Sequence, residues 1–462
     1  MTLGHWYRTG EPSPRSETAS ALCDDGVVSD DGLAVARPAV GTRLVALVGS
    51  SSSWFVLIGM LCGYFALLLA LGGHAVWDQL GVPAVSPAFF DLRSVTSGWD
   101  CARHHWGAWP VNPCDPGGRP ENYPRVWMAA SILGLGEEDT YLIGSLIAVV
   151  FFLAAILVLP RGAPLGDALI YGIALCSPAV MFGVERGNVD IALFSMVAAA
   201  GLVMRRARYG PPLASALILV AAVLKLFPIA AVGMLARLPR RTAVICAASV
   251  AGLFAVYVAA TFHDIQTIER VLPQGDEYAY GLHIFGGWLG RLVAGGQMWD
   301  AALVILAIAA AIALRRRLRN HLSTGPSREL DLFWAGAGIY VFTFALGRSS
   351  DYRLVFLLLT IPQLVRWASA RQALPIATLC GIFLTLWLPS PWSNVPVLDG
   401  LIRGWNDLTL AGGSSLPIAA PAQVVAFIGL TCLLAATLPL TELRRSRQSR
   451  RHQRVTPRRN SP

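Results

Sequence analysis

The sequence predicts an all-α fold, a polytopic bundle of transmembrane helices, and three observations support this class. Of 462 residues, 55% are hydrophobic and 14% are charged, whereas about 25% of residues are charged in a typical soluble domain. The apolar residues fall in runs of about 16–21, the length of helix that crosses about 30 Å of hydrocarbon. Basic residues stand beside the ends of these runs, as they do in multi-pass membrane proteins.

The apolar runs predict about ten full spans within a transmembrane domain over residues 43–440. Residues 1–42 are polar and are expected to form a disordered cytoplasmic tail, and residues 441–462 are expected to form a basic cytoplasmic tail. The runs lie near residues 54–72, 140–160, 166–182, 189–204, 242–262, 298–314, 332–347, 354–368, 374–390 and 421–440.

Residues 212–236 do not fit a single span, because arginine clusters flank both ends of this apolar segment. If such clusters mark the cytoplasmic side, both ends lie on the same side of the membrane. Pro228 lacks a backbone N–H and breaks a helix. The segment therefore predicts a re-entrant pair of half-helices that breaks between Lys225 and Pro228.

With this hairpin and a cytoplasmic N-terminus, the polar connections fall on one predicted outer face. Converging polar loops indicate an active site at the membrane surface, whereas a transport pathway would place ionisable groups at mid-membrane. The longest connection, residues 73–139, is the predicted first outer and catalytic loop. The others are residues 185–190, the hairpin tip at Lys225, and residues 263–297, 348–353 and 391–418.

The formal net charge of +9 arises from 37 basic residues, of which Lys225 is the single lysine. Their positions at span ends indicate orientation in the membrane, and we expect no nucleic-acid partner. Neither the cysteines nor the histidines show a metal-binding spacing, and there is no Walker A or GxGxxG motif. Cys101 and Cys114 share the first outer loop. If that loop lies outside the cytoplasm, these two cysteines either form a disulfide or remain free thiols.

Asp91 and Asp100 are the candidate catalytic acids of the first outer loop. Asp91 follows Phe89 and Phe90, and an acid beside apolar surface suits a general base. Asp100 lies nine residues later, about 2.5 turns of a helix, and would face roughly the opposite side. The two acids would then not form a carboxylate pair, and one of them would be structural. Either acid alone also fits a solvated or helix-capping group.

Several cations on the predicted outer face are candidates for binding a phosphate. The ammonium of Lys225 suits a phosphate as a point charge, and an interfacial, snorkelling lysine is the alternative. Arg186 precedes a helix start that favours anions, or it is an ordinary loop charge. Arg348 and Arg353 run against the positive-inside trend, which favours an anionic partner unless Asp351 pairs with one of them.

The order of these motifs resembles the GT-C superfamily of polytopic glycosyltransferases, and most of all glycosyltransferase family 87. An early Asp in the first outer loop precedes a Gly/Pro-rich stretch, and three further motifs follow in the family's order. Together they cover roughly residues 54–370. The motifs are NYPRVW from Asn122 to Trp127, ERGNVD from Glu185 to Asp190, KLFP from Lys225 to Pro228, and SDYRLVFLLL from Ser350 to Leu359.

The resemblance implies a GT-C-type helical bundle that uses a sugar carried on a polyprenyl phosphate, with no metal or other cofactor. It implies that an acid of the first outer loop activates the acceptor hydroxyl and that the anomeric carbon is inverted. Asp91 is the expected base, and Asp100 is its rival. The expected donor-phosphate ligands are Arg186, Lys225, Arg348 and Arg353, and the expected substrate contacts are Tyr123, Glu185, Asn188, His283 and Asp351.

We therefore expect a multi-pass glycosyltransferase of a bacterial plasma membrane, with its active site facing outward. It would move mannose to a cell-envelope glycolipid or polysaccharide, and arabinofuranosyl transfer is the nearest variant. A lipid-linked sugar flippase and a non-catalytic envelope assembly protein are the rival classes. The flippase needs charged groups along a mid-membrane path, and the assembly protein would tolerate Asp91→Asn.

Overall fold

The computed structural model describes residues 52–106, 109–206, 208–272, 279–292, 296–388 and 419–438. The predicted tails at residues 1–42 and 441–462 lie outside these ranges, as do the predicted outer loop at 391–418 and residues 273–278 of the loop at 263–297. Most of the described residues are helical, in agreement with the predicted all-α class.

The α-helices are joined by connections of different lengths, several of which contain 3-10 helices. The first α-helices are α1 (Ser52–Leu71), α2 (Phe90–Arg103), α3 (Thr140–Val158), α4 (Leu165–Leu175), α5 (Pro178–Glu185), α6 (Val189–Val203), α7 (Gly210–Leu224) and α8 (Arg240–Ala260). The others are α9 (Phe262–Val271), α10 (Leu282–Leu292), α11 (Gly296–His321), α12 (Arg328–Ala345), α13 (Ile361–Ser369), α14 (Ala373–Trp387) and α15 (Ala419–Thr437).

The 3-10 helices and one small strand pair lie mainly near the predicted outer face. The 3-10 helices are Gly73–Val76, Asp78–Leu80, Arg125–Leu133, Glu137–Asp139, Phe227–Arg237 and Asp351–Leu359. Strands β1 (Ala279–Tyr280) and β2 (Ser349–Ser350) pair antiparallel, with Ala279 opposite Ser350. This pair fastens the connection before α10 to the connection after α12.

Five helices among the described residues are long and apolar enough to cross a membrane, and they lie at α1, α3, α8, α11 and α15. The pair α4 and α5, bent by 53°, would make a sixth. The predicted count of about ten full spans is not confirmed. Helices α6, α7 and α14 have 15 residues each, about 22 Å of helix, which is short of about 30 Å of hydrocarbon.

The segment after α7 turns back as a helical hairpin, with its break at the predicted place. Helix α7 ends at Leu224, and Lys225 is extended with φ −161° and ψ 122°. A 3-10 helix begins at Phe227 and has Pro228 in its first turn, where the missing N–H removes no hydrogen bond from the helix.

The two ends of this hairpin meet at one buried carboxylate, Asp331 of α12. Arg205, which precedes α7, donates to Asp331 Oδ1 over 2.7 Å, and Arg237, which ends the hairpin, donates to the same oxygen over 3.0 Å. Because each arm is about 20 Å long, Lys225 at the tip lies far from this pair of arginines. The base of the hairpin, the end that carries Arg205 and Arg237, is therefore positively charged. Its tip lies at the other end of the bundle.

The connection after α2 is fastened back onto that helix. Cys101 and Cys114 form a disulfide in the structure, with their Cα atoms 5.8 Å apart. The Asn112 side chain donates to the carbonyl of Ser94 over 2.8 Å and to the hydroxyl of Ser97 over 3.2 Å. The Gly/Pro-rich stretch that follows is thereby held close to the start of α2.

Candidate active site

Two cavities adjoin beside the hairpin tip. The polar cavity has a volume of about 620 Å³ and the apolar cavity a volume of about 740 Å³. Their common lining contains two cations, and the other shared residues are neutral. The shared residues are Asn122, Lys225, Leu272, Leu346 and Arg353.

The polar cavity is bordered by more cations than acids. Asp91 and Glu269 are its acids. Its residues come from α2, the Gly/Pro-rich stretch, the end of α5, the hairpin tip, α9 and the segment at β2, all of them on the predicted outer face. Its cations are Arg119, Arg186, Lys225, Arg348 and Arg353.

The apolar cavity lies between the hairpin, α8, α9 and α12. Arg125 and Asp264, whose charged atoms lie 3.5 Å apart, join the 3-10 helix Arg125–Leu133 to α9 at its border. An elongated hydrocarbon chain is the kind of group that such a lining desolvates favourably. The apolar lining includes Val126, Phe227, Ile229, Phe254, Tyr257, Val258, Ile265, Ile268 and Phe342.

The first turn of α2 is held against the end of α5, and this contact places Asp91. The N–H of Phe89 donates to the carbonyl of Glu185, and the N–H of Asp91 donates to that of Arg186, both over 3.1 Å. Free N–H groups of one helix start thus satisfy free carbonyls of another helix end. Gly187 permits the approach: its φ is +59°, and a Cβ there would lie 3.0 Å from Phe89 Cβ.

The Asp91 carboxylate lies among one amide and two guanidinium groups, and 20% of its side chain is exposed. Asn188 Nδ2 donates to Asp91 Oδ2 over 2.8 Å. Asp91 Oδ1 lies 3.6 Å from Arg119 Nη1 and 3.9 Å from Arg186 Nη1. A partly exposed carboxylate at a cavity wall is placed to accept a proton from a bound hydroxyl.

The two cations shared by the cavities have one buried carboxylate between them. Lys225 Nζ lies 2.7 Å from Asp190 Oδ1, and Arg353 Nε lies 3.6 Å from Asp190 Oδ2. Tyr123 and Tyr352 flank the ammonium, with each ring centroid 5.3 Å from Nζ. One carboxylate charge against two cations leaves a net positive charge where the polar and apolar cavities meet.

The predicted residues Arg348 and Tyr123 also line the polar cavity. Among the residues that the structure describes, no acid lies within ion-pair distance of Arg348. The predicted alternative, a pair between Asp351 and one of the two arginines, is not formed, because Arg353 instead approaches Asp190 and donates to Ser349 Oγ over 3.1 Å.

Five predicted catalytic or substrate-binding residues lie outside both cavity linings, and Asp100 and Glu185 are two of them. Asp100 pairs with Arg103 and accepts the N–H of Glu137 over 2.7 Å, so it braces the turn before α3. Glu185 is buried, accepts the N–H of Val85 over 3.0 Å and lies 3.2 Å from Arg186 Nε. Asp100 therefore braces backbone away from the cavities, and Glu185 braces the backbone at Val85 and the side chain of the cavity residue Arg186.

Asn188, which contacts Asp91, is the third, and His283 and Asp351 are the other two. The His283 side chain is exposed, and its backbone N–H donates to the carbonyl of Gly347 over 2.7 Å. Asp351 is buried at the start of the 3-10 helix that follows β2. The structure brings neither side chain to a cavity wall.

Sequence reasoning missed several residues that the fold brings to this site. Asp190 had a signal, since an acid directly after the start of an apolar helix must find a partner. The sequence signal for Arg119 was weaker: it is a cation in the Gly/Pro-rich stretch. Asn122 and Tyr352 line the polar cavity beside residues that the sequence did select. In the described part of the chain, no three His, Cys, Asp or Glu side chains cluster as metal ligands would.

The fold and site together define an integral membrane protein of many helices with a charged cavity beside an apolar one. Residues 131–330 match the family model described as glycosyltransferase family 87. This match confirms the resemblance to glycosyltransferase family 87 that the motifs predict. The matched range contains Arg186, Asp190 and Lys225; Asp91 and Arg353 lie outside it.

A solved structure gives a weaker likeness. The crystal structure of ArnT from Cupriavidus metallidurans in the apo state aligns over 86% of this chain and 81% of that chain, with 15% sequence identity and a TM-score of 0.34. These values are too low to carry an argument about this chain. No curated protein matches it.

Proposed function

We propose that this chain transfers a sugar, mannose in the first instance, from a polyprenyl-phosphate donor to a cell-envelope glycolipid or polysaccharide. Asp91 is the general base, and the site faces outward from a bacterial plasma membrane. The observation that supports this most is the meeting of a polar and an apolar cavity at Lys225 and Arg353.

A polyprenyl-phosphate sugar has three parts, and the two cavities offer a place for each. The prenyl chain fits the apolar cavity along α8 and α9. The phosphate fits the shared border, where Lys225 and Arg353 supply positive charge. The sugar fits the polar cavity, whose wall includes Asp91 and Tyr123. Arg186 and Arg348 line only the polar cavity, so they are second-rank candidates for the donor phosphate.

The chemistry needs one base and charge neutralisation at the leaving group. Asp91 takes the proton of the acceptor hydroxyl as that oxygen bonds to the anomeric carbon. The bond between this carbon and the phosphate oxygen breaks, and the electron pair leaves with polyprenyl phosphate. The phosphate gains negative charge in this step, and the cations at the cavity border stabilise it most at that point.

The charge distribution supports an outward-facing site. Arg205 and Arg237 lie at the base of the hairpin, and basic residues mark the cytoplasmic side. Lys225 and the polar cavity lie at the other end of the same hairpin. The disulfide between Cys101 and Cys114 fits an oxidising compartment on that side.

Sugar transfer in membranes that contain the protein tests this proposal. With polyprenyl-phosphate mannose radiolabelled in the sugar, we expect label to enter endogenous lipid or polysaccharide acceptors. Asp91→Asn should reduce the rate by about 100-fold or more, the contribution typical of a general base. The matched control is Asp100→Asn on the same helix, which should retain transfer per folded molecule.

Three results would count against the proposal. Loss of transfer in Asp100→Asn with retention in Asp91→Asn would exchange the roles of the two acids. Transfer from the arabinose donor alone would correct the sugar. No transfer from either donor, with the wild-type protein present at normal levels, would favour a flippase or an envelope assembly protein.

A further inference from the structure

We infer that Asn188 and Asp190, at the N-terminus of α6, are positioning residues that fix the general base and the phosphate-binding cations relative to each other. This inference rests on the proposed function and deepens it. Neither side chain lines a cavity, so both act through Asp91, Lys225 and Arg353 and not by touching substrate. Asn188, predicted as a substrate contact, is thereby given a different role.

The amide of Asn188 is held at both of its ends. The residue is 0% exposed. Its Oδ1 accepts the N–H of Asp190 over 3.0 Å, which caps α6, and its Nδ2 donates to Asp91 Oδ2 over 2.8 Å. The cap fixes the orientation of the amide, so the amide in turn fixes the carboxylate plane of Asp91.

The carboxylate of Asp190 holds two cations from separate segments. Asp190 is 0% exposed. Lys225 comes from the hairpin tip, and Arg353 comes from the buried 3-10 helix after β2. Without this carboxylate, two like charges would face each other where little water screens them. Asp190 is therefore what allows both cations to stand at the border of the cavities.

The N-terminus of α6 thus contacts both the general base and the two cations. Asn188 and Asp190 are separated by a single residue, Val189. Its side chain is fully buried and packs in a small apolar cluster with Val95 and Trp99. A shift of α6 would move the base and the phosphate site together. Because attack and departure must be aligned at one carbon, a constant spacing between base and phosphate preserves the reactive geometry.

The test separates the two roles by measuring binding and turnover. The binding probe is farnesyl phosphate, titrated into the purified full-length protein. Asp190→Asn should raise the dissociation constant of farnesyl phosphate about tenfold and raise the donor KM, as expected for loss of a charge-assisted contact. Asn188→Ser keeps a capping oxygen but has no amide; it should lower kcat about tenfold and leave the dissociation constant within twofold.

Asp331→Asn is the matched control, because Asp331 is also a fully buried carboxylate that bridges two cations of this hairpin, at its other end. It should lower thermal stability and leave farnesyl phosphate binding unchanged. Equal weakening by Asp331→Asn and Asp190→Asn would overturn the inference, as would wild-type binding by Asp190→Asn. A lowered kcat in Asn188→Ser is expected only with its binding retained; loss of both in parallel contradicts a positioning role.

The same titration separates failure of the inference from failure of the proposed function. If the wild-type protein binds farnesyl phosphate and Asp190→Asn binds it as tightly as the wild-type protein does, the inference alone is wrong. If the wild-type protein does not bind farnesyl phosphate, the proposed phosphate site is wrong, and the inference falls with it.

Discussion

Glu121 is a fully buried carboxyl in the stretch that borders the polar cavity, between the cavity residues Pro120 and Asn122. Its Oε1 accepts the N–H of Tyr123 over 3.2 Å. Its Oε2 lies where a Cβ on Gly98 would come within 2.9 Å, so only glycine leaves room for it. Burial raises the pKa of Glu121 to about 8, and the group is therefore protonated at neutral pH.

This raised pKa predicts a pH dependence of stability. In the unfolded chain the carboxyl loses its proton near pH 4.5, while the folded protein retains it to about pH 8. Between these values the unfolded state binds fewer protons, so the free energy of unfolding falls as pH rises, by up to about 1.4 kcal/mol per pH unit. Below about pH 4.5 and above about pH 8 this contribution is constant.

The matched variant is Glu121→Gln, which keeps the shape and removes the titration. Thermal unfolding of wild-type protein should shift to lower temperature from pH 5 to pH 8, and the variant should lack this part of the shift. Identical profiles for the two proteins would show that Glu121 does not titrate in this window.

At the scale of elements, the hairpin shows what local sequence decides. Pro228 lacks a donor, and arginines stand at both ends of the segment, so the break and the return of the chain were both predictable. The number of full spans was not. A hydropathy pattern marks apolar residues, but it does not show that α6 and α7 end after 15 residues each or that neighbouring helices cover them.

The apolar cavity gives an element-scale prediction about α9. Ile268→Trp adds volume at the cavity wall and should displace part of a bound prenyl chain. Wild-type protein should bind farnesyl phosphate more tightly than geranyl phosphate, since burial of each CH₂ contributes up to about 0.8 kcal/mol. The variant should show a smaller ratio of the two dissociation constants.

The control for this variant is Ile305→Trp on α11, where the isoleucine is exposed on the outside of the bundle. It adds the same side chain away from both cavities and should keep the wild-type ratio. An unchanged ratio in Ile268→Trp would place the prenyl chain elsewhere.

At the scale of the whole molecule, the sequence predicted that polar segments would meet on one face, and the polar cavity is built from several of them. It did not predict which side chains would reach the cavity. Asp100 and Glu185 have the right chemistry, but they brace backbone in places set by long-range packing. The position of Asp190 shows that it needs a partner, but not that its partners are Lys225 and Arg353, which lie 35 and 163 residues away in the sequence.

At the same scale, the hairpin has a carboxylate-bridged cation pair near each of its two ends. Asp331 joins Arg205 and Arg237 at the base of the hairpin, and Asp190 joins two cations near its tip. The pair at the base lines neither cavity, so it closes the hairpin. The pair near the tip lies where the polar and apolar cavities meet, which is the proposed phosphate site.

A cryo-electron microscopy structure of the full-length protein with farnesyl phosphate would show where the phosphate binds. We expect phosphate density within hydrogen-bond distance of Lys225 Nζ and the Arg353 guanidinium, with the prenyl chain in the apolar cavity along α9. Phosphate density at any other place, with Lys225 and Arg353 contacting Asp190 alone, would contradict it.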